Sequence, residues 1–215
     1  MTKFFLSALV ALAALSVYGQ ETKVLYQNDF QSAANDKIPD DFLVIEGAFA
    51  VKQEGNQKFL ELPGAPLDSF SVLFGPSETS DINATARFFG TAKGRRAPTF
   101  GIGLNGVGGY RLQVTPAKKL LELYKGDEVK STFPFDWTSG KWTHLRLQVQ
   151  KINDAAWKIE GKAWTEGQSE PRDWMIQWDE NEKPYTGRAS VSGSPFSGTP
   201  IRFDDFIVSA ARAGK

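Results

Sequence analysis

Between Trp142 and Gln150 the chain alternates cleanly, with Leu145, Leu147 and Val149 on one side of an extended backbone and His144, Arg146, Gln148 and Gln150 on the other. Successive side chains of a strand point to opposite faces, so this is a strand with one dry face and one wet face, as in antiparallel sheets packed on one side. Tyr110-Arg-Leu-Gln-Val114 and Trp157-Lys-Ile-Glu-Gly-Lys-Ala163 repeat the pattern. Beyond the first nineteen residues a helical period of apolar positions is nearly absent. Short runs rich in Val, Ile, Leu, Phe and Thr recur instead between Gly, Pro, Asn and Asp clusters. They predict strands near 23–30, 42–52, 58–62, 69–74, 80–90, 98–105, 109–115, 118–125, 128–133, 141–152, 155–165, 172–178, 186–192 and 200–209. Glu54-Gly-Asn, Lys125-Gly-Asp, Thr138-Ser-Gly and Asn153-Asp supply turn chemistry between them. No fixed-period repeat points to a propeller or solenoid. No linker divides the chain, so residues 20–215 read as one all-β domain of two packed antiparallel sheets.

Met1 to Gly19 has another character. Lys3 precedes an apolar run from Phe4 to Val17 broken only by Ser7 and Ser16, and Val17-Tyr-Gly19 ends it. This is the form of a secretory signal peptide, cleaved before Gln20. The run is short of the roughly 20 apolar residues a membrane span needs. No cysteine follows it to carry a lipid, and no later segment is apolar for long enough to cross a bilayer. The mature chain is therefore expected outside the cytoplasm, as a secreted, periplasmic or extracellular protein. Removal of the leader takes away Lys3 alone, leaving 24 basic residues against 25 acidic. Without a basic stripe, nucleic acid is not an expected partner. There is no cysteine, so stability must come from an apolar core, which a chain of this length can bury.

Three groups of residues carry a resemblance. Asn28-Asp-Phe30, Ile38-Pro-Asp-Asp-Phe42 and Gly47-Ala-Phe-Ala-Val51 look like the opening of the concanavalin A-like lectin/glucanase superfamily. Trp142-Thr-His-Leu-Arg-Leu-Gln-Val149 resembles the tryptophan-led alternating strand of its laminin-G-like members. Thr186-Gly-Arg-Ala-Ser-Val191 and Pro200-Ile-Arg-Phe-Asp-Asp-Phe-Ile-Val208 resemble its closing strands. The resemblance implies a jelly-roll β-sandwich whose first and last strands meet. It covers most of the mature chain, but the motifs are fold signatures, shared by lectins, carbohydrate-binding modules, glycan hydrolases and adhesion domains. In general pattern the chain is also similar to exported bacterial keto-disaccharide hydrolase-type domains.

Much chemistry is excluded at once. With His144 the only histidine and no cysteine, zinc sites built from those ligands are absent. Ala189-Ser-Val-Ser-Gly193 lacks the leading glycine of a nucleophile elbow. Gly101-Ile-Gly-Leu-Asn-Gly106 has the spacing of a dinucleotide fingerprint, with Glu122 at a suitable distance. Strand sequence follows it rather than the helix that would hold a pyrophosphate, so its glycines serve a tight sheet and a turn. The E-x-D-x-E spacing of the glucanases is missing. The acidic residues from Glu166 to Glu182 lie mostly in turn-like sequence, while Glu160 sits on a wet strand face. Asn83-Ala-Thr85 is a glycosylation sequon, meaningful only in a eukaryotic secretory pathway.

Asp204 and Asp205 fall within a strand, where alternation sends one to each face. A carboxylate between two sheets must be paired or metal-bound. Either it accepts backbone amide hydrogen bonds at a bulge, or Asp29, Asp204 and Asp205 hold a structural calcium ion. Among the tryptophans, Trp157 and the Trp174, Ile176, Trp178 stripe read as core. Trp164 breaks register and joins the wet face, unless a bulge returns it inward.

The reading is an exported, non-catalytic carbohydrate-binding or adhesion module. Arg87, Arg111, Gln113, His144 and Arg146 offer planar hydrogen-bonding groups to a glycan, and Trp164 offers a stacking surface. One alternative is a glycoside hydrolase of the keto-disaccharide hydrolase type, with Glu160 or Asp173 as acid and His144 or an arginine holding substrate. Another is a structural or protein-interaction domain of the cell envelope.

Overall fold

The computed structural model describes residues 23–211; the leader and its expected cleavage point lie outside them. Among the described residues the chain forms fifteen strands and a single 3-10 turn, Pro116–Lys118. The strands are β1 (Val24–Asn28), β2 (Leu43–Glu46), β3 (Ala50–Glu54), β4 (Gln57–Leu62) and β5 (Phe70–Glu78). Then come β6 (Ile82–Phe89), β7 (Thr99–Leu104), β8 (Tyr110–Thr115), β9 (Leu120–Lys125) and β10 (Glu128–Pro134). The chain continues through β11 (Thr143–Asn153), β12 (Ala156–Thr165), β13 (Ile176–Glu180), β14 (Gly187–Ser194) and β15 (Ile201–Ala210). Every pairing between them is antiparallel.

Two sheets result. The eight-stranded sheet runs β13-β12-β11-β6-β15-β4-β3, with β1 also paired to β15; the seven-stranded sheet runs β10-β9-β8-β7-β14-β5-β2. The inward positions of both sheets make one core, including Leu145, Leu147 and Val149 as the alternation requires. Two expected strands need correction: 172–178 is a strand only from Ile176, in β13, and 42–52 is divided. The run 42–52 is two strands in different sheets, because Gly47 takes a φ of +111° and the chain crosses there. A side chain at Gly47 would meet the Phe70 ring, so only glycine fits.

The first and last strands do meet, Asn28 lying opposite Phe206. β15 is the hub of its sheet, pairing β6 along one edge and β4 and β1 along the other. Against β6 its register slips by one residue between Asp204 and Ile207. This bulge corrects the expectation that one aspartate points between the sheets. Asp204 follows inward Phe203 on the outer side, and Asp205 adopts a φ of +52°, so Phe206 enters the core in its place. Phe206 packs on Phe30, Phe42 and Phe74 with ring centroids 5.1, 5.8 and 4.5 Å away.

Asp204 is only 1% exposed. Its Oδ1 accepts the Asp205 amide at 2.8 Å, the bulge bond the sequence offered as an alternative to calcium. Its Oδ2 accepts from Arg87 Nη2 at 2.8 Å and Gln57 Nε2 at 2.9 Å. Arg87 Nε also lies 2.9 Å from Asp205 Oδ2. The charge that would neutralise these carboxylates is thus a guanidinium. Asp29 is not part of the arrangement; it is exposed and accepts the Gln31 amide. Among the described residues no cluster of three or more acidic or histidine side chains suits a cation, so Asp29, Asp204 and Asp205 are not brought together as a ligand set.

Two further contacts bind the sheets. Gly161 faces inward on β12, and a Cβ there would lie 2.6 Å from a methyl of Leu112 on the opposite sheet. Buried Glu180 on β13 accepts from Tyr110 Oη at 2.8 Å and pairs with Lys125 at 2.7 Å, both from the seven-stranded sheet. Burial pushes the Glu180 carboxyl up, but Lys125, the Glu182 amide and Tyr110 together hold it below its usual range.

Two outcomes follow for stability. Arg87→Ala should destabilise by about 3–5 kcal/mol, because it leaves the buried Asp204 carboxylate without its counter-charge. Gly161→Ala should cost about 1–3 kcal/mol by overpacking, and Leu112→Val in the same chain should recover part of that. Denaturant unfolding of the single and double variants checks both; a wild-type midpoint for Arg87→Ala would refute the ion-pair account.

Candidate functional site

The six residues expected to meet a ligand do not share one face. Arg87 on β6, His144 and Arg146 on β11 and Trp164 on β12 come together on the outer face of the eight-stranded sheet. Arg111 and Gln113 on β8 project from the outer face of the other sheet, across the sandwich. Sequence alternation showed which residues were wet, but not which sheet each strand joins.

On the eight-stranded sheet the polar groups are committed to one another. Besides Asp204 and Asp205, Arg87 meets Glu166 at 3.1 Å and lies 4.5 Å over the Trp142 ring. Arg146 pairs with Glu170 at 2.8 Å and donates to Thr85. Lys162 pairs with the same Glu170 at 2.7 Å. The Trp164 and His144 rings stack in nearly parallel planes with centroids 5.1 Å apart. Trp164 therefore stays on the wet face, but His144 covers one side of it. Burial, and then the Arg87 charge, lower the His144 pKa from its ordinary value. A groove of about 390 Å³ lies beside this network, lined by Glu54, Gln57, Phe59, Phe89, Trp142 and Arg202. Its aromatic floor is capped, since the Arg202 guanidinium sits 4.4 Å over Phe59 and 5.5 Å over Phe89 and pairs with Glu54.

The outer face of the seven-stranded sheet is built differently. Across its middle strands the register aligns Gln113, Gly101, Ser192 and Ser71 in one row. The neighbouring row is Arg111, Gly103, Ser190 and Leu73. The floor is therefore glycine and serine flanked by larger groups on β8. Gly103 has no room for a side chain, since a Cβ would meet Ser190 Oγ. Ser69, Thr99, Arg111, Gln113, Asp127, Ser192 and Ser194 help to line a cavity of about 180 Å³ over this floor.

A buried network fixes the β8–β9 side of the trough. Glu122, 2% exposed, accepts from Thr115 Oγ1 at 2.5 Å, Lys118 Nζ at 2.9 Å and Tyr124 Oη at 2.9 Å. Burial pushes its carboxyl up, but these three donors and the Lys118 charge leave it below its usual range. Tyr124 so held supports Arg111, whose guanidinium lies 4.5 Å over the ring. Arg87, Arg146, Arg188 and Arg202, the other arginines on strands, all have carboxylate or carbonyl partners. Among the described residues Arg111 has no such partner, and its buried Nε makes no hydrogen bond. Gln113 donates to Thr115 Oγ1 at 3.1 Å.

Glu122 and Tyr124 were missed as site residues, although a signal existed. In Leu120-Leu-Glu-Leu-Tyr-Lys125 the inward Leu121 and Leu123 put Glu122 and Tyr124 on the same side as Gln113 and Arg111. The glycine motif is indeed sheet and turn: Gly101 and Gly103 lie in β7, and Gly106 takes a φ of +77°. Trp157 and Ile176 are core, and Trp178 packs against it; Trp174 instead lies under Lys162, at 4.7 Å. Glu160 is buried and accepts from Gln148 at 3.0 Å, with burial raising its pKa, whereas Asp173 is exposed in the segment before β13. Asn83 of the sequon is buried in β6, donating to the Ala210 carbonyl.

No family model and no curated protein matches the chain in sequence. Solved structures do match it in shape. The chain is similar to a Bacillus subtilis protein of unknown function with a galectin-like fold, at a TM-score of 0.61 and 12% identity, covering 90% of this chain and 99% of that one. The carbohydrate recognition domain of Emp46p, in its metal-free form, gives a TM-score of 0.59 at 11% identity over 90% and 100% of the two chains. The carbohydrate-binding module CBM66 from Bacillus subtilis gives 0.54 at 13% identity over 79% and 96%. The described chain shares the two-sheet antiparallel β-sandwich fold of these structures.

Proposed function

We propose that this protein is an exported glycan-binding module whose ligand lies in the trough on the outer face of the seven-stranded sheet. The observation that carries the reading is Arg111, the strand arginine with no polar partner among the described residues, resting over Tyr124 beside a glycine and serine floor. Small floor residues let a flat ligand approach the backbone, a known use of glycine within strands. A guanidinium held in one plane donates several hydrogen bonds in a fixed fork, which suits the vicinal hydroxyls of a sugar. Gln113 adds an amide of both donor and acceptor character. The fold shared with carbohydrate-recognition domains and carbohydrate-binding modules supports the same ligand class. The export signal in Met1–Gly19 supports a place outside the cytoplasm, where such glycans are met.

The other outer face is read as structural. Its cations are satisfied by carboxylates within the protein, so a sugar there would have to displace existing ion pairs.

A glycan array followed by titration calorimetry on the best binder tests the reading. Arg111→Ala should weaken binding by about 1.5–3 kcal/mol, roughly tenfold to over a hundredfold, with little change in melting temperature. Undiminished binding by that variant would remove the trough from consideration. His144, as the only histidine, gives a single imidazole signal by NMR. It should titrate below its ordinary value of 6.5. Because the unfolded chain then takes up the proton more readily, stability should fall as pH drops through 6.5 toward the folded pKa. His144→Gln should remove that loss and leave glycan affinity unchanged; a fall in affinity would return the ligand to the eight-stranded sheet.

A further inference from the structure

The trough does not end at Arg111. The 180 Å³ cavity shares Arg111 and Ser192 with a second, of about 50 Å³, walled by Gly106, Val107, Gly109, Tyr110 and Gly126. The second shares Gly109 and Tyr110 with a third, of about 80 Å³, lined by Gly108, Lys125, Glu182, Lys183, Pro184 and Tyr185. Three cavities therefore lie end to end. From Gln113 to Tyr110 on β8, both lining residues, the line covers three residues of strand, about 10 Å at the usual rise.

The far end carries two apolar side chains that the fold does not use, Val107 at 65% and Tyr185 at 63% exposure. Tyr185 is not a loose tip. Buried Pro184 precedes it, Thr186 Oγ1 lies 2.6 Å from Thr79 Oγ1, and Gly187 packs directly on the Asn105 backbone. Its ring edge rests beside Gly108, 3.8 Å from where a side chain there would begin. An exposed phenol ring held on both flanks, at the mouth of a polar cleft, is suited to lie against the C–H face of a sugar ring.

We infer that the trough takes a glycan chain rather than one terminal sugar, and that Tyr185 is the stacking platform of an outlying subsite. The inference rests on the trough being the ligand face. A chain running along β8 and β14 meets Gln113 and Arg111 first, then crosses the glycine-rich wall at 106–109 to reach Tyr185. Tyr185 then sets the preference for length, while Arg111 anchors every length.

Calorimetry with cello-, xylo-, manno-, malto- and arabino-oligosaccharides, from the monosaccharide to the hexasaccharide, separates the two roles. In the series that binds, wild-type affinity should rise with length. Tyr185→Ala should lose about tenfold on the longest member and nothing on the shortest that binds, and Tyr185→Phe should restore the gain. Arg111→Ala should lower affinity at every length. Wild-type affinity independent of length, or an unchanged long-chain affinity in Tyr185→Ala, would overturn the subsite and leave the trough standing. Unchanged affinity at all lengths in Arg111→Ala would overturn the trough itself, and failure of every series to bind would overturn both.

Discussion

The extra residue in β15 organises the eight-stranded sheet. In a regular strand Phe203 and Asp205 would face inward and Phe206 outward, placing a carboxylate in the core and a phenyl ring in water. The bulge reverses both. Asp205 takes a left-handed backbone conformation, costing on the order of 1–3 kcal/mol in a residue other than glycine. Burying Phe206 contributes about 1.5–3 kcal/mol in return, and no charge is left between the sheets. Phe206 then becomes the contact at which Phe30 and Phe42 from the start of the chain meet Phe74 from the opposite sheet. Just before the bulge Asp204 lies opposite Arg87 on the neighbouring strand, and from Arg87 the ion pairs reach Glu166 while its guanidinium covers Trp142.

The two outer faces differ in how their charges are satisfied. On the eight-stranded sheet each arginine meets an acid from a strand of the same sheet or from the loop after β12, and its aromatic rings lie under cationic groups or stack on His144. Such a surface is internally complete. On the seven-stranded sheet the polar network gathers on Glu122, whose carboxylate takes the hydrogen bonds of Thr115, Lys118 and Tyr124. That leaves Arg111 supported by a ring but not neutralised. A cation held in place without an ion pair is poised to meet a ligand, whereas one in a closed ion pair must first be released.

Glycine marks the close approaches of the fold. Gly161 leaves room for Leu112 from the facing sheet, and Gly103 leaves room for Ser190 beside it. At Gly161 the space is filled by protein, and the result is packing. On β7 Gly101 and Gly103 face outward, where the β8 backbone and Ser190 fill the space, and the result is a flat floor of glycine and serine. The same residue type in the same kind of strand therefore serves the core in one place and the surface in the other, according to which side of the sheet it faces.

The sequence by itself determined the class of fold, because alternation with a period of two depends only on neighbours along one strand. It placed Leu145, Leu147 and Val149 inside, brought the terminal strands together, and showed that Gly101-Ile-Gly-Leu-Asn-Gly106 is not a nucleotide loop. It also offered a bulge amide as a partner for an aspartate near 204. It did not separate β2 from β3, since a crossing at Gly47 looks locally like one continuous apolar run. Nor did it divide Arg87, His144, Arg146 and Trp164 from Arg111 and Gln113. Wetness is a property of a strand face, but which face of the molecule that becomes depends on strand order, and strand order is set by contacts between distant residues. The partners of each charge were likewise decided by the tertiary structure. Arg87 closes on Asp204, 117 positions away, and Arg111 closes on no acid, and only the folded neighbourhood distinguishes the two.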